Sequence, residues 1–136
     1  MYVRYSAWLN AAPDKPDDAP TRLATMREHR KEPEYLPDHP DCIAIHIVSY
    51  LWEVGPGIPI GMGLAPVTQA EIRHWQDNTG VTLSAWEARA LRTLSAEYLE
   101  EAHLAKNPAR LAPWPPIPDK STREEVSKRI RGVLRS

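Results

Sequence analysis

Fourteen prolines do most to limit how this chain can fold. They gather at 13–20, 33–40, 56–66 and 108–118. A proline lacks a backbone N–H and its ring clashes with the preceding helical turn, so regular structure is confined to the intervals between the clusters. Residues 10–21 read Asn-Ala-Ala-Pro-Asp-Lys-Pro-Asp-Asp-Ala-Pro-Thr, a polar linker with nothing to bury. Residues 21–32 are charged and can form a short helix ended by Pro33, and 33–40 read as irregular. The chain then divides into an irregular N-terminal arm at 1–40, a helical core domain at 41–106, and a Pro-rich linker with a short basic amphipathic helix at 107–136.

The firmest local signals lie in the middle interval. Thr68-Gln-Ala-Glu71 is a capping box, in which the Thr hydroxyl accepts the N3 amide and the Glu carboxylate reaches back to the Thr amide. Val67 and Ile72 hold the positions of a hydrophobic staple. Gly80 is a natural left-handed stop. Ser84-Ala-Trp-Glu87 is a second capping box, opening a helix with Trp86, Ala90, Leu91, Leu94 and Tyr98 on one face and Asn107-Pro108 at its end. The expected fold is mainly α: a small helical domain centred on this capped pair. Trp75 and Trp86 are expected in the core, and Trp52 similarly.

Residues 41–54 are the most apolar stretch. Ile43, Ile45 and Ile47 alternate as in a strand, while Ile43, Ile47, Tyr50, Leu51 and Val54 fit one helical face. Length and Asp41 as N-cap favour a helix; the β-branched residues favour a strand. Residues 55–67 hold four glycines and three prolines and read as a loop without regular structure. The loop is nevertheless apolar at Ile58, Ile60, Met62 and Leu64, so it must pack on its own core or on a partner.

Beyond residue 108 the chain reads as extended and polyproline-like. Trp114, inside Pro-Trp-Pro-Pro, either packs the tail back on the body or anchors a partner. Thr122-Arg-Glu-Glu125 is a third capping box. It opens a helix with Val126, Ile130, Val133 and Leu134 on one side and basic residues, Arg129 among them, elsewhere. So short a helix needs a surface to dock on.

Five Trp and five Tyr supply the bulk that a chain without Phe must find elsewhere. The net charge of −1 gives the whole molecule no bias toward nucleic acid, but residues 106–136 hold eight basic side chains against three acidic ones. A basic tail on a neutral body suits an acidic surface. One cysteine, Cys42, precludes a disulfide within the chain and fits a reducing cytoplasm. No apolar run approaches the roughly 18 residues of a membrane span, and the first nine residues are too short and polar for a secretory signal.

Candidate chemistry is sparse. His39, Cys42 and His46, with His29 nearby, are zinc-type ligands, but their spacing matches no established pattern. Cys42 reads as a small core residue and His46 as a helix-face residue. There is no Gly-x-Ser-x-Gly elbow, and the glycines of 55–63 lack the Gly-Lys-Ser/Thr of a phosphate loop. Glu100 and Glu101 are adjacent and face different sides of a helix; Glu97 and Glu101 share a face and read as solvated. Glu87 has a capping role. The helix, turn and helix of 68–96 invite comparison with a helix-turn-helix. Yet the second helix opens on Trp86 and Glu87, and 68–105 carry three arginines against six acids, which repels phosphate. No cofactor is expected.

The run Tyr50-Leu-Trp-Glu53, Gly61-Met-Gly63, Pro66-Val-Thr-Gln-Ala-Glu-Ile72, Trp75, Thr79-Gly80-Val-x-Leu83 and Ala85-Trp-Glu-Ala-Arg-Ala-Leu91, with Met26-Arg-Glu-His29 upstream, resembles small tail-region proteins of tailed phages and prophages. Several are treated as tail assembly chaperones or their downstream partners. The resemblance covers about residues 26–100. It implies a non-enzymatic helper in the bacterial host cytoplasm that holds tail tube subunits or the tape-measure protein by shielding apolar surface. The contact residues would be Ile58, Ile60, Met62 and Leu64 in the loop and Trp114, Val126, Arg129, Ile130, Val133 and Leu134 in the tail, surfaces that also suit self-association. The competing expectation is a small phage-encoded regulator or inhibitor binding a host protein or, through the helix pair, nucleic acid.

Overall fold

The computed structural model describes residues 1–13, 19–115, 128, 131 and 132. Five helices and one hairpin follow in the order α1 (Tyr2–Leu9), α2 (Arg22–Arg30), α3 (Ile45–Val54), β1 (Ile58–Ile60), β2 (Gly63–Ala65), α4 (Gln69–Thr79) and α5 (Ala85–Leu104). The fold is mainly helical, as expected. The 20-residue α5 is its axis and touches α1, α3, α4 and β2. No described helix is long and apolar enough to cross a membrane.

The helix pair forms where its caps put it. The Thr68 hydroxyl accepts the Glu71 N–H at 3.2 Å, although the Glu71 carboxylate does not return the bond, so half of that box is made. At Ser84 the box is complete: its hydroxyl accepts the Glu87 N–H at 3.1 Å and its own N–H donates to Glu87 Oε1 at 3.0 Å. Gly80 stops α4 at φ +76°, a conformation open to glycine without a Cβ clash. The Gln76 side chain then accepts the Leu83 N–H at 2.8 Å and fixes the turn. Val67 and Ile72, the expected staple, are both buried and join Val3, Ile47, Val48, Leu51 and Leu91 in the main core. Each fully buried Leu or Ile there contributes about 2 kcal/mol.

Four expectations change. Residues 1–40 are not wholly an irregular arm. α2 occupies its expected place, but Tyr2–Leu9 also forms a helix, whose Val3 enters the main core and whose Tyr5 and Leu9 build a second cluster with Leu23. Eight residues are too few to hold a helix alone, so α1 depends on packing against α5, which no local signal announces. In α3 the helical choice is right, but the helix begins at Ile45 with Ala44 as N-cap, not at Asp41, and Ile43 stands in solvent.

The stretch 55–67 is a two-stranded antiparallel hairpin, pairing Ile58 with Ala65, Pro59 with Leu64 and Ile60 with Gly63. Pro59 is tolerated because a two-stranded sheet has only edges. Gly61 at φ +44° opens the two-residue turn. Finally, α5 buries Leu91, Ser95 and Glu101, while Ala90, Leu94 and Tyr98 pack partly buried. Trp86, expected in the core, is 57% exposed. Trp52 is exposed as well, and Trp75 alone of these three is buried.

Candidate interaction surface

The hairpin is held hard at its base and left bare at its tip. Ser95 of α5, with no solvent exposure, donates its hydroxyl to the Pro56 carbonyl at 2.7 Å and accepts the Val67 N–H at 2.9 Å. One small side chain thus clamps both feet. Gly57 lies so close to α5 that a Cβ there would stand 2.9 Å from a Leu99 methyl and 3.2 Å from the Ala65 carbonyl. Ile58 packs against the main core.

Beyond that point the strands lose cover: Ile60 and Leu64 are exposed and Met62, in the turn, is 107% exposed. Side chains alternate along a strand, so Leu64 shares a face with its partner Pro59 while Ile60 lies on the other. The tip is apolar on both faces. Ile58, Ile60, Met62 and Leu64 are therefore brought together as the sequence suggests, with Ile58 as the root and the other three as the free surface.

A second apolar surface was not anticipated. A trough of about 580 Å³ lies between the start of α3 and the first half of α5. Its walls are Cys42, Ala44, Ile47, Trp86, Ala90 and Leu94, with Glu97 among its polar residues. The periodic face of α5 was legible, but not that part of it would stay uncovered.

The tail, in contrast, begins by returning to the body. Arg110 donates to both Glu101 oxygens, at 3.0 and 2.8 Å, and Glu101 has no solvent exposure. Arg4 bonds Glu100 and lies 3.8 Å from Glu101. Glu101 is thus a buried carboxylate held by partly exposed arginines and not the solvated partner of Glu97. Arg22, itself buried, donates to the carbonyls of Trp8 at 3.2 Å and Asn107 at 3.0 Å and lies over the Trp8 ring; burial pushes its pKa down. Trp8 donates to the Arg110 carbonyl at 3.0 Å. Trp114 meets Tyr5 edge to face with ring centroids 5.6 Å apart. Of the two fates open to Trp114, the packed one is seen. Val126, Arg129, Ile130, Val133 and Leu134 lie outside the described residues.

The zinc-type residues are dispersed. His39 accepts ring contacts from Tyr2 and Tyr5, Cys42 packs on the core, and His46 Nε2 stands 3.2 Å from Glu87 Oε2. Among the described residues no three His, Cys, Asp or Glu side chains are grouped to hold a metal ion. The bond from the Ser84 backbone N–H, above all, holds the Glu87 carboxyl below the usual carboxylate range, and His46 adds to it.

Compared with family models, curated proteins and solved structures, the chain matches none.

Proposed function

We propose that this chain is a non-enzymatic phage tail assembly chaperone or tail-morphogenesis factor, working in the bacterial host cytoplasm, and that its hairpin holds an apolar segment of the tail tube or tape-measure protein. One observation carries the proposal: a hairpin clamped at both feet by a buried serine exposes Ile60, Met62 and Leu64 at its tip. The resemblance of residues 26–100 to phage tail-region proteins supplies the biological setting.

The energetics suit a helper. Burying three such side chains yields about 2 kcal/mol each. Ordering two molecules costs several kcal/mol, at least about 4. The tip alone therefore gives a small surplus, and contacts around it on the client supply the rest of a complex stable enough to isolate yet releasable to the growing tail. Met62 adds tolerance, because an unbranched thioether adapts to irregular apolar surfaces. Shielding of this kind requires no covalent step.

Co-expression with the tail tube and tape-measure proteins encoded beside it tests the proposal. A complex with one of them that survives gel filtration is expected. Failure to form a complex with either overturns it.

A further inference from the structure

A cavity of about 270 Å³ lies where α1, α2, α3 and α5 meet the segment 33–40. Buried Leu9 and Leu23 line it together with four rings, those of Tyr2, His39, Trp52 and Tyr98. Trp52 and Tyr98 stand 5.5 Å apart between centroids at 74°, two walls set nearly at right angles. Tyr2 and His39 lie 4.8 Å apart at 39°. The buried Tyr5 backs His39 edge to face at 5.1 Å. His39 Nδ1 donates to the Pro37 carbonyl at 2.9 Å, which fixes that ring.

The chemistry of the lining selects a ligand. The face of an aromatic ring is the negative end of its quadrupole and attracts a cation. Among the described residues no lysine or arginine lines the cavity, and no carboxylate does. The arginines nearby are engaged elsewhere: Arg4 with Glu100, Arg22 with the carbonyls of Trp8 and Asn107, and Arg27 with that of Tyr35. Burial above all, then Tyr35 and Asp38, raise the pKa of Tyr5, so the exposed Asp38 carboxylate lies near the same rings and favours positive charge there. A primary ammonium entering the cavity would surrender hydration that a lining without carboxylates does not replace. A quaternary ammonium has no N–H to satisfy. An apolar cavity of about 150 Å³ already holds a benzene-sized guest, so this one has room for a trimethylammonium group and its two-carbon stem.

We infer that this cavity is an aromatic cage for a small, free quaternary ammonium compound of the choline type, with its methylated nitrogen among Tyr2, His39, Trp52 and Tyr98. The inference does not depend on the hairpin's role, because no hairpin residue lines the cavity.

Calorimetric titration of the full chain with choline chloride tests it, against 3,3-dimethyl-1-butanol, the neutral carbon isostere of choline. Choline should bind once per chain and about tenfold more tightly than the isostere, the ratio for about 1.4 kcal/mol of attraction between a cation and desolvated rings. Trp52→Leu keeps apolar bulk at a position 41% exposed and removes one ring. Its circular dichroism spectrum should match the parent's while the preference for choline shrinks. Absence of choline binding by the folded parent overturns the inference, and so does equal binding of the isostere. Those two results need only the parent chain, so they decide the matter even where the variant does not fold. Sedimentation with phosphatidylcholine vesicles, without binding of free choline, would assign the cage to a lipid headgroup and overturn its assignment to a small ligand.

Discussion

Ser95 is too small to fill a core, yet none of it reaches solvent, and its hydroxyl serves groups 39 and 28 positions away in sequence. Replacing Ser95 with alanine leaves a part-buried carbonyl and a buried N–H without this partner. A loss of about 2 kcal/mol in urea denaturation is expected, since each orphaned group costs about 1–3 kcal/mol before relaxation. The tryptophans make a paired prediction. Trp75→Ala removes a buried ring packed on Tyr50 at 4.9 Å between centroids and should cost about 3 kcal/mol. Trp86→Ala should change stability by less than about 1 kcal/mol, as expected of an exposed site. Both tryptophans sit on apolar faces in the sequence, which records periodicity but not whether a neighbour covers the end of a face. Trp86 lies in the first turn of α5, where no described helix covers it. Ser95 and Glu101 were illegible for a related reason: their partners are set by tertiary folding, and a polar residue in a helix reads as solvated until those partners arrive.

Helix caps are local, and so they were readable. Thr68, Gly80 and Ser84 all act within four residues of themselves. The hairpin hid behind its own composition, because glycine and proline count against strands except in the two settings found here, a tight turn at Gly61 and a strand with a free edge at Pro59. α1 hid because its stabilisation comes from α5 at the far end of the chain. Two predictions belong to elements. Arg110→Ala should unfasten 107–114 and strand the Glu101 charge with Arg4 at 3.8 Å as its remaining partner. Glu101 is buried while Arg110 is partly exposed, so a cost of about 1–3 kcal/mol is expected, readable as a lowered melting temperature.

The Glu87 cap adds a pH dependence. Its folded pKa is depressed, chiefly by the Ser84 N–H. The stability it gives is therefore fully present above the unfolded carboxylate pKa of about 4.3 and is lost as pH falls through the lower folded value. Glutamine can serve in a capping box without titrating. In Glu87→Gln the melting temperature should decline less steeply with acidification than in the parent protein.

At the scale of the whole molecule, helices form a platform and the hairpin projects from it. The main core unites α1, α3, α4 and α5 with the foot of the hairpin, while the second cluster ties α1 and α2 to the start of the tail. Rigid attachment matters, since an arm already ordered before contact loses less entropy on binding. The exposed apolar tip would be a liability for a molecule working alone, and under the proposed function it is the surface a client covers. The most direct test is calorimetric titration of the purified tail protein that co-purifies with the chain, using the parent protein and an Ile60→Asp/Met62→Asp variant. Both positions are exposed, so the variant's melting temperature should match the parent's. Its affinity should fall by roughly a thousandfold, the ratio for loss of two buried side chains near 2 kcal/mol each. An unchanged affinity in a variant that remains folded would contradict the hairpin's role as the client-binding element.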